Sequence, residues 1–360
     1  MSYTDDIIDA DSESNKGQKN REVSAPGKLV LAGEYAVLEG SAAWVTAVDR
    51  RAVVHFDLKV HRPAADASLR VSSHSCVEQC LSDDVDGGYF DLLRKVVAVV
   101  EQDREASFSG LVHVDTSAME VGDKLGIGSS AAVAVAFTYA LLSVANGCDD
   151  GTEGDFAPSR EDVHTLAHRA HLAFSEGRGS GVDVAAAVYG GSISFQRVPN
   201  AELPVVEPAP LDAKGLEVLI VYSGHSQSTR SFVAKVQHLK DPSEGQPALF
   251  QEIMIRLASA ATRAMASTTT GELLPSMNAA YEAMIALGEA SGADIVSAPH
   301  RQIAALAAYF SGVAKPSGAG GGDVALAFFR SKKDAQAARE AFAAQGFSVV
   351  SMQLGAPGVG

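Results

Sequence analysis

Lys124-Leu125-Gly126-Ile127-Gly128-Ser129-Ser130-Ala131 runs without a break into the apolar stretch Ala131 to Ala145. A short strand is expected at Leu111 to Val114. The segment therefore reads as strand, glycine-rich loop (Gly122 to Gly128) and long helix from about Ser129. Glycines let a backbone approach a phosphate closely, and the unpaired amides and partial positive charge of a helix start attract one. Ser129 and Ser130 add hydroxyls, of which one can ligate Mg2+ as P-loop hydroxyls do. No Gly-Lys-Ser/Thr closes the loop, so it is not a Walker A loop. The plain alternative is a serine-capped helix after a turn. The apolar stretch carries Thr138, Tyr139 and Ser143 and is shorter than the roughly 20 residues of a bilayer span, which predicts a buried helix.

Three other loops carry candidate chemistry. Upstream, Ser24 to Val37 belongs to a partly alternating apolar region, Val23 to Phe56, broken by Pro26-Gly27, Gly33 and Gly40, as strands joined by tight turns would be. Lys28 lies inside this apolar run and Glu34-Tyr35 follow Gly33, a pattern that suits a cleft or a partner charge. A surface lysine on an edge strand is the alternative. Downstream, Gly177-Arg178-Gly179-Ser180-Gly181-Val182-Asp183 places one carboxylate between a flexible loop and a run of small apolar residues. An N-cap or first-turn carboxylate would look the same. Lys315-Pro316-Ser317-Gly318-Ala319-Gly320-Gly321-Gly322-Asp323 exposes bare backbone amides to a ligand or to another loop, where a simple linker is the alternative.

Elsewhere the spacing predicts helices over residues 83–100, 160–175 with Ser159 as N-cap, 229–240, 248–266, 272–291, 299–310 and 332–345. Strands are expected at Ile193 to Phe195, Glu217 to Tyr222, Val324 to Phe329 and Phe347 to Leu354. The proline-rich stretch Pro199 to Pro210 marks a boundary. It divides the chain into a polar tail (1–22), a first domain (23–205) and a second (206–360). The irregular order of strands and helices favours α+β with mixed sheets over a doubly wound sheet.

The 360 residues are 46% hydrophobic and 20% charged, enough apolar material for one large or two medium domains. With 44 acidic against 29 basic residues, the formal charge of −15 repels duplex nucleic acid and anionic membranes, so neither is an expected partner. Cys76, Cys80 and Cys148 are odd in number and fit neither C-x-x-C nor a zinc knuckle, which suits a reducing cytoplasm. Met1 to Glu22 has neither the apolar region of a signal peptide nor the Arg-rich face of a transit peptide. His164, His168 and His171 follow helical i, i+4, i+7 spacing and can in principle bind a transition metal. With no carboxylate or cysteine partner evident, a solvent-facing or interface stripe is expected. Trp44 reads as structural.

The order Pro-Gly-Lys-x5-Glu-Tyr-Ala-Val (26–37), Gly-Ile-Gly-Ser-Ser-Ala (126–131), Gly-Ser-Gly-Val-Asp-Val-Ala-Ala-Ala (179–187) and Ser-Gly-Ala-Gly-Gly-Gly-Asp (317–323) resembles the successive motifs of GHMP kinases. The match spans residues 25 to 329. Within that superfamily the chain looks most like the phosphomevalonate kinases. Mevalonate kinases usually have His after the first-motif Glu and a further Gly after the last Gly-Gly-Gly, where this chain has Tyr35 and Asp323. Lys-x-Gly-Ile-Gly-Ser-Ser-Ala and the segment Ser223 to Arg230 also resemble that branch.

The resemblance implies a two-domain GHMP kinase fold, with an N-terminal nucleotide-binding α+β domain, a C-terminal ferredoxin-like α+β domain and the active site between them. It implies ATP and Mg2+ as cofactors and a small phosphorylated acceptor, 5-phosphomevalonate. Mevalonate kinase or another GHMP kinase with an alcohol acceptor, diphosphomevalonate decarboxylase and a non-catalytic sensor are the alternatives. On this resemblance Lys28 and Asp183 are catalytic. Lys124, Gly126, Ile127, Gly128, Ser129, Ser130 and Ala131 hold the nucleotide, with Mg2+ near Ser130. Lys28, Glu34, Tyr35, Ser180, Asp183, Ser228, Thr229, Arg230, Ser317, Gly318, Ala319, Gly320 and Gly321 hold the acceptor. A phosphate acceptor is already largely ionised near neutral pH, so Asp183 is expected to orient it or to balance Lys28 rather than to act as an obligatory base. Polyanionic ligands on a chain of charge −15 require local cations, and Lys28, Lys124, Arg178, Arg230 and Lys315 are expected to cluster there. One departure is that the metal-binding Glu of mevalonate kinases, eleven residues before the catalytic Asp, is Leu172 here, and Glu176 is out of register. Monomer and homodimer both remain open.

Overall fold

Long runs of alternating apolar residues pair at the heart of the first sheet. β1 (Arg21–Ala32) and β2 (Ala43–His61) form an antiparallel pair, with Val23, Ala25, Leu29 and Leu31 of β1 buried. The computed structural model describes residues 21–62, 68–73, 76–82, 89–121, 123–147, 157–199, 201, 203–211, 215–226, 229–243 and 245–360. β3 (Leu69–Ser73), β4 (Cys76–Cys80) and β5 (Ser107–Asp115) extend the sheet on one side, and β8 (Ser192–Gln196) and β9 (Val205–Pro208) on the other. The strand order is β4-β3-β5-β2-β8-β9, with β1 on β2. A small hairpin, β6 (Glu120–Val121) and β7 (Asp123–Lys124), precedes the glycine loop.

Against this sheet pack α1 (Tyr89–Arg104), α2 (Ser129–Asn146) and α4 (Val182–Tyr189), and α3 (Arg160–Phe174) packs on those three helices. α2 is the expected buried helix: Ala131 through Thr138, Ala140, Leu141 and Leu142 are all inside. It is long and apolar enough to cross a bilayer, but most of it is covered by protein, as an all-round apolar core helix should be. Ser159 caps α3, its hydroxyl accepting from the Asp162 amide, as expected for Ser at that position.

The second layer has the strand order β11-β12-β10-β13, from β10 (Glu217–Tyr222), β11 (Val313–Pro316), β12 (Val324–Phe329) and β13 (Ser348–Val350). All its pairings are antiparallel. Four helices, α5 (Thr229–Leu239), α6 (Pro247–Ala266), α7 (Thr270–Ser291) and α8 (Ala298–Tyr309), fill the first crossover, and α9 (Lys332–Ala344) the second. This is the expected ferredoxin-like arrangement with an enlarged first crossover.

Two expectations shift, and a third lies partly outside the described residues. Helix α1 begins at Tyr89 among the described residues, and residues 83–88 lie outside them, as does most of the polar tail. The division between 205 and 206 falls inside β9, which pairs with β8, so the first sheet runs on to Pro208. Trp44 is fixed there too, its indole donating to the Ala209 carbonyl at 2.7 Å. The last strand ends at Val350 because the following residues leave the second sheet for the first. Gln353 N–H donates to Asp49 Oδ1 at 2.9 Å, and the Arg51 guanidinium donates to the carbonyls of Pro357 and Gly358, each at 2.8 Å.

Candidate active site

Close backbone contact sets the geometry. A Cβ at Gly27 would lie 2.9 Å from both the Ile127 carbonyl oxygen and Met119 Cε, so only glycine fits. That proximity lets the Lys28 amide donate to the Ile127 carbonyl at 2.7 Å, locking β1 to the glycine loop. Lys28 Nζ then donates to the Gly126 carbonyl at 3.2 Å. Gly128 caps α2 in the left-handed region (φ 81), and no side chain caps the first turn. Amides at such an end are available to an anion. Asp183 is the second residue of α4, one Oδ accepting from the Val184 amide at 3.0 Å. The Cβ position of Gly128 is 3.3 Å from Lys28 Cγ and 3.5 Å from Asp183 Cβ. The Cβ position of Gly318 is 3.9 Å from Lys28 Nζ. Four sequence-distant loops thus meet around one ammonium group.

Burial pushes the Lys28 pKa below its ordinary value, and the charges of Asp183, Asp323 and Glu34, in that order, oppose the drop. Asp323 is the site residue that sequence reasoning missed. It holds a left-handed φ of 61°, costly for a residue with a side chain. Its amide donates to His225 O and its carbonyl accepts from Ser223 N. Its carboxyl lies where a Cβ at Gly126 would collide with it. The available signal was an acid closing a run of glycines.

Glu34, Tyr35, Ser317 and Ala319, expected on the acceptor, fasten the first motif to the last loop. Lys315 Nζ donates to Glu34 Oε1 at 2.5 Å and to the Pro316 carbonyl at 2.7 Å, with both side chains out of solvent. Tyr35 O–H donates to the Ala319 carbonyl at 2.6 Å, and burial raises its pKa further. Ser317 Oγ accepts from Val30 N at 2.9 Å and donates to Val30 O at 3.2 Å. Gly320 and Gly321 are packed tightly, the one on Ile295 O and the other on the Phe232 ring. The expected cluster of five cations is therefore corrected. Lys315 is consumed by Glu34, and Arg178 is exposed and pairs with Glu176 at 2.6 Å. Lys28 reaches the loop. The side chains of Lys124, Thr229 and Arg230, and the whole of Ser228, lie outside the described residues.

The histidine stripe is also corrected. His164 and His171 are buried, because α3 packs between α1, α2 and α4. His164 Nδ1 pairs with Tyr189 Oη at 3.1 Å, and burial lowers its pKa to about 4. His171 Nε2 meets Ser130 Oγ at 3.1 Å, while Tyr89 O–H donates to Ser129 Oγ at 2.9 Å. Both loop hydroxyls are thus oriented from neighbouring helices. Ile127 and Ala131 are buried beneath them. For Mg2+, the oxygen donors bordering the loop are Ser130, Asp183 and Asp323. Among the described residues no group of three or more His, Cys, Asp and Glu converges. That donor set fits an ion carried largely by nucleotide phosphates with one or two protein oxygens.

Comparison with known proteins agrees with this geometry. Residues 91–191 match the GHMP kinases N terminal domain and residues 299–348 the GHMP kinases C terminal domain. The chain is 30% identical to a phosphomevalonate kinase of Streptomyces sp. (strain CL190), over 90% of this chain and 92% of that protein. It is 31% identical to a mevalonate kinase of Thermococcus sibiricus, over 59% of this chain and 60% of that protein. In fold it is similar to Streptococcus pneumoniae phosphomevalonate kinase in complex with phosphomevalonate and AMPPNP, with a TM-score of 0.75 at 17% identity over 93% of this chain and 99% of that one. With Lys28, Asp183 and an uncapped glycine loop meeting in one corner, and with both family domains matched in order, the chain belongs to the GHMP kinases.

Proposed function

We propose that the protein transfers the γ-phosphoryl group of ATP to the phosphate of 5-phosphomevalonate, giving 5-diphosphomevalonate and ADP. The carrying observation is the convergence of Lys28, Asp183, the Gly126–Ser130 loop and Gly318. Phosphoryl transfer needs alignment and charge neutralisation more than covalent help, and this corner supplies both. The first-turn amides of α2 and the loop glycines cradle the triphosphate. Lys28 balances charge between donor and acceptor, and Asp183 holds the Lys28 ammonium charged and orients the incoming oxygen. Ser130 and a bordering carboxylate would hold Mg2+ together with the nucleotide phosphates, and the ion would supply charge neutralisation there. The likeness to the Streptomyces phosphomevalonate kinase over nearly the whole chain supports this acceptor. The Thermococcus likeness favours a second reading, mevalonate, in which Asp183 must take the proton of an alcohol.

An ADP-release assay with Mg-ATP against mevalonate, 5-phosphomevalonate and diphosphomevalonate in parallel decides among them. Turnover of 5-phosphomevalonate is the expected result. Turnover of mevalonate alone overturns it, and release of CO2 from diphosphomevalonate reveals a decarboxylase.

A further inference from the structure

The strained residues of the chain fall into two groups. Among the described residues, five other than glycine hold a positive φ: Tyr35, Glu105, Glu176, Ser311 and Asp323. Glu105, Glu176 and Ser311 follow the ends of α1, α3 and α8, where a left-handed residue commonly closes a helix. Tyr35 and Asp323 close no helix, and both border the last glycine loop. A residue with a side chain persists in that conformation only where its surroundings over-determine it, and such residues gather at working sites. For Tyr35 the hold is its hydroxyl on the Ala319 carbonyl. For Asp323 it comes from the turn between β10 and α5.

His225, in that turn, grips the loop through both backbone and side chain. Its carbonyl accepts from the Asp323 amide at 2.8 Å. Its imidazole Nε2 lies 2.8 Å from the Gly321 carbonyl oxygen. A carbonyl only accepts, so Nε2 carries the proton, whatever the state of Nδ1. Ser223 completes the turn: its amide donates to the Asp323 carbonyl at 2.9 Å and its hydroxyl to the His225 carbonyl at 3.3 Å. Gly321 is tied elsewhere as well, its amide donating to the Ile295 carbonyl at 2.8 Å. The half-buried ring of His225 thus fixes the loop just ahead of Asp323, whose carboxyl lies against Gly126 and whose charge acts on Lys28.

We infer that His225 is a positioning residue for phosphoryl transfer: its Nε2–H bond to the Gly321 carbonyl, together with its own carbonyl, keeps Asp323 left-handed, so that the Asp323 carboxylate stays against Gly126 and balances the Lys28 ammonium. Without the donor the loop relaxes and carries that carboxylate off the corner. The inference asks only for transfer from ATP and for no particular acceptor.

The test compares His225→Gln, His225→Asn and His225→Leu in the full-length protein. Gln places an N–H donor about where the imidazole has Nε2, Asn reaches only about as far as Nδ1, and Leu has no donor. With whichever acceptor turns over, kcat should fall about five- to a hundredfold for Asn and Leu, the range for leaving a carbonyl unpaired. The KM values for ATP and acceptor should stay within about threefold, and Gln should keep kcat within about threefold of wild type. Asn is small and polar, so it tests the donor even where Leu fails to fold. In an Asp323→Gly background the left-handed conformation needs no hold and the carboxylate is gone, so His225→Asn should cost no more than about twofold there. Equal losses for Gln and Asn, or an Asn loss that simply multiplies with that of Asp323→Gly, overturn the inference. Amide hydrogen exchange over residues 318–329 requires no acceptor. It should quicken at least about fivefold for Asn and stay at the wild-type rate for Gln, whatever the kinase assay shows. Unchanged exchange in the Asn variant overturns the grip even in an active enzyme.

Discussion

Removing the Lys315 ammonium should destabilise the protein far more than a single hydrogen bond would. Lys315→Met leaves Glu34 buried among β1, the turn after it and the last glycine loop. Nζ sits 2.5 Å from Oε1 and 2.7 Å from the Pro316 carbonyl, and the two side chains are 0% and 2% exposed. Glu34 Oε2 already has no hydrogen-bond partner among the described residues. The substitution therefore strands a whole carboxylate in the interior. Breaking a buried pair from one side costs about 3–5 kcal/mol, because the remaining charge is uncompensated. Replacing both members by neutral groups is far milder, often near zero. Urea unfolding of the wild type, Lys315→Met, Glu34→Gln and the double variant completes a cycle. Lys315→Met should lose about 3–5 kcal/mol, and the double variant should recover about 2 kcal/mol or more of it. A loss under about 1 kcal/mol, or strictly additive losses, refutes the claim that this pair fastens the two motifs.

Three further outcomes are expected. Gly126→Ala places a Cβ into the Asp323 carboxyl at a φ of 68°, so the nucleotide KM should rise at least about tenfold with unfolding stability changed by only about 1–2 kcal/mol. Asp323→Asn removes a charge that raises the Lys28 pKa, so Lys28 should lose its proton at lower pH. The alkaline limb of the kcat/KM profile should then move toward neutrality, and an unmoved limb would exclude Lys28 as the group that titrates. His164 and His300 are each held near a pKa of about 4 by burial. Below the unfolded value of about 6.5 the unfolded chain binds protons that the native state refuses, so stability falls as pH drops through 6.5 toward 4. The loss should be about 2 kcal/mol for each histidine by pH 5, and His300→Asn should roughly halve the combined slope in urea titrations.

The readings that survived are those encoded by local spacing. The glycine loop and apolar helix from Ser129, the Ser159 cap and the strand Val324–Phe329 appear where side-chain period and turn chemistry place them, and the ferredoxin-like second layer appears as the family resemblance implied. The readings that failed concern what a polar side chain faces. The histidine stripe looked exterior because a helical period of polar residues ordinarily faces water, yet α1, α2 and α4 cover it. Lys315 looked like a phosphate ligand because it borders a glycine loop, and Asp323 passed as a mere family variant.

From its own order of residues, the chain determined its family, its two layers and the four loops that carry phosphoryl chemistry, since glycine positions and apolar periods act over a few residues. Only the tertiary structure decided which charges are spent on holding the protein together and which are left for the ligand. The partners of Lys315, Tyr35 and Ser317 stand 281, 284 and 287 residues away in the chain. No local pattern records such a separation, because a buried ammonium, phenol or hydroxyl is defined by what the fold brings against it.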